Sequence, residues 1–230
     1  NSLGVIGGGP VGCELAAFYG SFGTRVTLLQ GAPTILNRED EEIAKMAHDA
    51  IGKLGVEAIG SAKVVEVVDG HGVYGIKAEV NGTLEQYAVE RVLVAAGKRP
   101  NVEGLGLEQA GVVLGERGFV VSNKQHQTSA KHIYVAGDVD GGMMFTHTAH
   151  TEGSIAGYNA ALFALKKRKS KKTMDDRVVP RATFVDPEVA SVGMTAQEVK
   201  EKYKKVLVGR YKVNALGRAV TDGGAKGLVK

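Results

Sequence analysis

The chain has 230 residues, 43% of them hydrophobic and 23% charged, with a formal net charge of +4, the values of an ordinary globular protein long enough to bury a core. No run approaches the ~20 apolar residues of a membrane-spanning helix, and the first residues lack the charged-then-apolar pattern of a signal peptide. With a single cysteine and so no internal disulfide, the expectation is a cytoplasmic protein in a reducing compartment with no membrane partner.

Residues 3–6 (Leu-Gly-Val-Ile) read as a strand running straight into glycines. Val11, Leu15, Phe18 and Phe22 then recur at spacings of 4, 3 and 4, which predicts a helix with that stripe inward and Gly23 as its stop. "RVTLL" (25–29) is a second β-branched, buried-looking strand. Strand, tight turn, helix and strand make one βαβ unit. A second helix is predicted from about Glu39 to Leu54, with Ile43, Met46, Ala47, Ala50, Ile51 and Leu54 as its stripe, Asn37 and Asp40 as a capping arrangement and Gly55 as the stop. Residues 62–90 then change character: "KVVEVV", "VYGIKAEV" and "TLEQYAVE" are short strands divided by "DGHG" and "NG", both hairpin signals. "RVLVAAG" (91–97) is a further apolar run.

A looser Gly-rich stretch (101–126) leads to "HIYVAGD" (132–138), read as a buried strand that delivers Gly137 and Asp138 at its C-terminal edge. Residues 146–165 carry a helical pattern through Ile155, Leu162 and Phe163. "KKRKSKK" (166–172) has no interleaved aromatics, so it reads as a solvated linker and not a nucleic-acid patch. "VPRATFVDPEVASVGMT" (179–195) reads as strands broken by Asp-Pro, and Thr195 with Glu198 as a capping box for a short helix ending near Tyr203. The chain begins two residues before a strand and ends at "AKGLVK", which reads as another strand; domains seldom start or stop inside sheets, so a piece of a longer protein is expected.

Gly7, Gly9 and Gly12 make G-x-G-x-x-G, with Glu14 two places on. The first glycine permits the turn out of the strand, the second lets backbone approach a pyrophosphate, and the third lets helix pack on sheet. Phosphates are then expected at the helix N-terminus, over Gly8, Pro10 and Val11. An acidic residue at the end of the second strand holds the adenosine ribose of NAD; here that position is Gln30, which does not repel a 2′-phosphate. Arg38 is open to two readings, a 2′-phosphate partner or a charge at the start of the next helix. NAD against NADP is left open.

"GGGPVGCE", "VAAGKRPN", "TSAKHIYVAGDV", "MMFTHTAHTEG" and "ATFVDPEVASVGMT" occur in this order along essentially the whole chain. On these motifs the chain resembles the class I pyridine nucleotide–disulfide oxidoreductases, with "NREDEE" similar to the mercuric reductase branch and "NALGRA" to the dihydrolipoamide dehydrogenase branch. The resemblance implies an α/β fold: a Rossmann-like FAD/NAD(P)-binding domain in a three-layer ββα arrangement, part of a second FAD-binding half, and the start of an α+β dimerisation domain. The boundaries it implies are residues 1–100 for the NAD(P) domain, 101–176 for the C-terminal half of the FAD domain, and 177–230 for the truncated dimerisation domain.

The implied cofactors are FAD and NAD(P), with hydride transfer between nicotinamide and flavin, a small-molecule or protein-bound disulfide as substrate, and a homodimer as the working form. Asp138 would bond the flavin ribityl chain, and the backbone around Met144, Phe145 and Thr146 would face the flavin pyrimidine edge. A helix starting near Thr146 would point its positive end at reduced flavin. Glu14 would sit near the nicotinamide as the catalytic-site residue, and Gly97, followed by Arg99, would line the space between the nucleotides. The family's first G-x-G-x-x-G, its C-x4-C and its C-terminal His–Glu pair are not in this chain, so the fragment is not expected to turn over. Two other readings stay open: an NAD(P)-binding sensor or docking module, and a related flavoprotein reductase without a redox disulfide.

Several residues draw plainer readings. Cys13 lies at a helix N-terminus, where a thiol pKa falls, but disulfide exchange needs a partner, so packing is expected. His147 and His150 stand three apart without a third ligand of matching spacing, and no metal site is expected. His48, His71, His126 and His132 read as surface residues. Met143 and Met144 fit either packing on a ring system or core filling.

Overall fold

In the computed structural model, all residues except 168, 169, 224 and 225 are described. Two of the lysine/arginine positions of the basic run, Arg168 and Lys169, therefore lie outside the described residues. The chain divides into two compact units, one formed by Asn1–Gly97 with Pro180–Lys230 and the other by Lys98–Val179.

The first unit is built on a parallel sheet. Strands β1 (Ser2–Ile6), β2 (Arg25–Leu29), β3 (Val56–Ile59) and β7 (Arg91–Val94) pair in the order β3-β2-β1-β7, every pairing parallel. Helix α1 (Pro10–Ser21) makes the β1–β2 crossover and α2 (Glu41–Gly52) the β2–β3 crossover, the connection that parallel neighbours require. Strands β4 (Ala62–Asp69), β5 (Tyr74–Val80) and β6 (Thr83–Val89) form a separate antiparallel meander. Its Ala62, Ile76, Ala78, Val80 and Val89 bury a second core together with Leu29. The sequence had offered no signal for β3: "VEAI" is four residues long, one of them charged, and it is a strand because β2 offers it an edge.

The buried face of α1 is not the one its large apolar residues predict. Val11 is 52% and Phe22 76% exposed, and Phe18 is exposed as well. The buried residues are Gly12, Cys13, Ala16, Ala17 and Gly20. A Cβ on Gly12 would stand 1.9 Å from the Gly7 carbonyl oxygen, and one on Gly20 2.7 Å from the Leu54 carbonyl oxygen. The helix therefore lies so close to the sheet and its loops that small residues alone fit beneath it, which pushes the bulky stripe outward. Phe18, Tyr19 and Phe22 pack their rings on one another on that outer side.

Helix α2 is capped by Asp40 itself, whose carboxylate accepts from the Glu42 amide, and not by the Asn37–Asp40 spacing. Its Ala44, Ala47 and Ile51 are buried against the main core. Strands β8 (Pro180–Thr183) and β9 (Val189–Val192) form a hairpin whose Val185 and Val189 join that same core. Arg181 donates to Glu39 at 2.7 Å and Ser191 donates to the other Glu39 oxygen at 2.6 Å, fixing the hairpin to the loop before α2. Helix α4 (Ala196–Lys202) carries the expected Thr195–Glu198 capping box. Strands β10 (Tyr211–Lys212) and β11 (Leu228–Val229) pair antiparallel on either side of a short α5 (Gly217–Thr221).

The second unit contains one long helix, α3 (Thr146–Ala164), packed through Thr148, Glu152, Ile155, Ala156, Asn159 and Leu162. Phe163, predicted on this stripe, is exposed. The predicted strand 132–138 is not a strand. Tyr134 forms a lone bridge with Gln127, and the amides of Thr128 and Val135 complete a local exchange with Ile133 and His126. An apolar run becomes a regular strand only where a neighbouring strand offers a row of partners, and among the described residues this run meets isolated partners in the 122–128 turn instead. The basic run leaves α3 with its described lysines exposed. It is held back by the fully buried Asn159, which exchanges two hydrogen bonds with Lys172 and donates a third to the Gln125 carbonyl. Among the described residues, no helix is long and apolar enough to cross a membrane.

Candidate functional site

Strand β1 ends at Ile6 and α1 begins at Pro10, so the glycine loop spans only three residues. Gly7 turns the chain with φ +109°, and a side chain there would meet the Ala95 carbonyl at 2.5 Å. Gly12 closes the loop against the Gly7 carbonyl, as above. Gly9 differs from both: its backbone is ordinary, φ −76°, and a Cβ added to it meets nothing within 4 Å. Two glycines are thus required by the protein itself, whereas the third keeps a space open.

That space lies at the start of α1. Pro10 fixes the first helical φ at no cost in hydrogen bonding. The first intrahelical bond is from the Cys13 amide to the Gly9 carbonyl, so the Val11 and Gly12 amides lie ahead of it, and no side chain caps them. Unsatisfied amides and the positive end of the helix macrodipole favour an anion at this place.

The loop is anchored on three sides. The Gly7 amide donates to Leu29, and the Leu36 amide donates to the Gly8 carbonyl. The Gly8 amide donates to the Gln30 side-chain oxygen at 3.0 Å, while the Gln30 amide group reaches Asn37 at 3.5 Å. Gln30 therefore faces the loop and is engaged in shaping it. Cys13 is fully buried, its thiol donating to the Gly8 carbonyl at 3.4 Å; burial and the neighbouring Glu14 charge push its pKa up to about 12. Packing is the role this supports. Glu14, half-buried, accepts from the Phe184 amide at 2.9 Å. Arg38 is exposed, and Gly97 has φ +139° with open space around it.

The remaining predicted residues lie in the second unit. Gly137, with φ +85°, donates to Glu152 at 2.6 Å. Asp138 pairs with Lys98 at 2.6 Å, each side chain half exposed, and Lys98, Arg99, Pro100, Asn101, Asp138 and Val139 line an open cleft. Lys98 stands inside the "VAAGKRPN" motif yet was not singled out as a site residue; the charge complement of Asp138 was the signal to be read there. Met144 and Phe145 are half-buried and precede α3. The first bond of α3 runs from the Ala149 amide to the Phe145 carbonyl, and no side chain caps the helix, so Thr146 opens a second free N-terminus. The Phe145 and His147 rings stack at 5.5 Å. His126, expected on the surface, is 5% exposed. Its Nδ1 atom stands 3.4 Å from an Asp140 oxygen, a place that periodicity does not reveal because it depends on the turn folding back over α3.

Comparison with known proteins agrees with these features. Residues 1–153 match the sequence profile of the pyridine nucleotide-disulphide oxidoreductases, and residues 179–230 match the profile of that family's dimerisation domain. The chain is 40% identical over 229 residues to a dihydrolipoyl dehydrogenase of Thermus scotoductus, covering 98% of this chain and 48% of that protein. It is 37% identical over 228 residues to a mercuric reductase of Staphylococcus aureus, covering 99% and 41%. Among solved structures, the HOCl-induced flavoprotein disulfide reductase RclA from Escherichia coli superposes with a TM-score of 0.82 at 31% identity, covering 99% of this chain and 50% of that one. The chain spans about half the length of the curated relatives it matches. With its glycine loop, its α/β fold and a profile match over most of its length, the chain belongs to the pyridine nucleotide-disulphide oxidoreductase family.

Proposed function

We propose that this chain is the nicotinamide-binding and part of the flavin-binding portion of an FAD-dependent NAD(P)H:disulfide oxidoreductase that works as a homodimer. The observation that carries the reading is Gly9: the one loop glycine with no internal reason to be glycine stands at the uncapped start of α1. The residues fit a pyridine nucleotide, because the open space, the free Val11 and Gly12 amides and the helix dipole together suit a pyrophosphate. They also fit the flavin, through a second uncapped helix start at Thr146 and a half-exposed carboxylate at Asp138.

When bound, the two groups supply hydride chemistry between nicotinamide and flavin. The chain's own part is binding and orientation. Gly7, Gly8, Gly9 and Gly12 would hold the pyrophosphate by backbone, with Pro10 and Val11 starting the helix beneath it. Gln30 would set the loop's shape and meet the adenosine ribose. Glu14, its carboxylate steadied by the Phe184 amide, would stand toward the nicotinamide, with Gly97 beside it. Asp138 would exchange Lys98 for a flavin hydroxyl, and the backbone of Met144, Phe145 and Thr146 would face the flavin ring edge. The disulfide that accepts the electrons would be carried by the rest of the polypeptide, and the segment 179–230 would contribute to the dimer.

Calorimetric titration of the 230-residue chain with NADH and with NADPH tests this. Saturable one-to-one binding of either is expected. Binding of neither overturns the dinucleotide reading, and a gene lacking a first G-x-G-x-x-G and a C-x4-C ahead of Asn1 overturns the disulfide reductase reading.

A further inference from the structure

Three side chains from three separate segments of the second unit converge in its interior. His126 comes from the 122–128 turn, Asp140 from the end of the short 3-10 turn Asp138–Asp140, and Glu152 from the second turn of α3. One ligand atom from each lies within 4.8 Å of the other two. All three are more than nine-tenths buried: the His126 and Asp140 side chains are 6% and 8% exposed, and Glu152 is 4% exposed.

Neither ring nitrogen of His126 has a hydrogen-bond partner, although the Nδ1 atom stands 3.4 Å from an Asp140 oxygen. A buried imidazole without partners is costly, and native proteins rarely leave one so. The carboxylates, by contrast, are each held by one oxygen only. Glu152 accepts the Gly137 amide on Oε2, and Asp140 accepts the Gly142 amide on Oδ1. Backbone donors thus orient both groups and leave Glu152 Oε1 and Asp140 Oδ2 for a further partner, the arrangement by which outer contacts fix metal ligands.

Charge points the same way. Both carboxylates are buried, and among the described residues no lysine or arginine forms an ion pair with either of them. Buried charges persist when paired or when they coordinate a cation. A first-row divalent ion holds nitrogen and oxygen ligands at about 2.0–2.2 Å, so ligands facing one another across it stand roughly 4.4 Å apart at most. The three atoms would close on such an ion by shifts well under an ångström each.

We propose that His126, Asp140 and Glu152 bind a divalent first-row transition-metal ion. One imidazole and two carboxylates select Zn²⁺, Mn²⁺, Fe²⁺ or Co²⁺ over the all-oxygen preference of Ca²⁺. With three protein ligands, water completes the coordination. The site ties the 122–128 turn and the 138–142 segment to the middle of α3, so its role is to fix the loop that carries Gly137 and Asp138. It does not depend on the chain's nucleotide-binding role.

The test is titration of the EDTA-stripped 230-residue chain with ZnCl₂ and MnCl₂, followed by calorimetry and by metal content after dialysis. One ion per chain is expected, together with a higher melting temperature. His126→Gln and Glu152→Gln should each weaken binding by at least about a hundredfold, while His132→Gln and the doubly substituted His147→Gln/His150→Gln chain should bind as the parent does. Should the buried variants fail to fold, CoCl₂ with the unaltered chain decides: visible ligand-field bands without a thiolate charge-transfer band are expected. No stoichiometric binding, undiminished binding by a folded His126→Gln chain, loss of binding in the His147/His150 variant, or a thiolate band from Cys13 would each overturn the proposal.

Discussion

The Gly8 amide donates to the side-chain oxygen of Gln30 across the gap between the glycine loop and the end of β2. A residue expected to read the ribose is thus also a strut for the loop that reads the phosphates. Gln30→Ala removes the acceptor and leaves a partly buried amide unmet, which should cost about 1–2 kcal/mol in urea unfolding. Gln30→Glu keeps the acceptor and places a charge beside the ribose, so stability should hold while the NADPH-to-NADH affinity ratio falls about tenfold or more. An unchanged ratio would show that the ribose lies elsewhere.

Gly9 and Gly12 make opposite predictions from one motif. Gly12→Ala forces a methyl against the Gly7 carbonyl, and should destabilise the fold by about 1–3 kcal/mol. Gly9→Ala meets nothing in the protein, so its unfolding free energy should change by no more than about 0.5 kcal/mol while nucleotide binding is lost. Retained binding in a folded Gly9→Ala chain would sink the assignment of that space to a phosphate.

Cys13 should be inert. With its pKa pushed from 9.0 up to about 12, the folded thiol stays protonated through neutral and mildly alkaline pH, and a disulfide reagent should label it only after unfolding. The linkage sign follows. Below pH 9 the thiol is protonated in both states. Above pH 9 the unfolded thiol ionises first, so stability should fall as pH rises from about 9 to 12. Cys13→Ala should flatten that part of the pH–stability curve; an unaltered slope would remove Cys13 as its source.

Glu39 joins Arg181 and Ser191 in a largely buried cluster. Glu39→Ala leaves the Arg181 guanidinium without its carboxylate and should cost about 3 kcal/mol, read by thermal unfolding. Pairing it with Arg181→Met in a double-mutant cycle should recover part of the loss; strict additivity would mean the two side chains do not cooperate.

Much of the first unit was legible because its signals are local. G-x-G-x-x-G between a strand and a helix, "NG" between alternating strands, and Thr195 three before Glu198 each act within a few residues, where backbone geometry and amide capping decide the outcome. Features set by neighbours were not legible. The inward face of α1 was misassigned because close approach to the sheet selects glycine and alanine over phenylalanine. Among the described residues no strand pairs with the 132–138 run, so it stays irregular. His126 looked like one more surface histidine because nothing nearby in sequence shows the turn folding onto α3.

The glycine loop, the βαβ order and the family can be read from the residues alone, since these rest on residue types at short fixed spacings. It took the folded chain to show that Gly9, of the four glycines in its loop, opens onto free space, that Gln30 braces the loop, and that His126, Asp140 and Glu152 meet. Those facts depend on distances between segments far apart in the chain, which packing sets and spacing does not record.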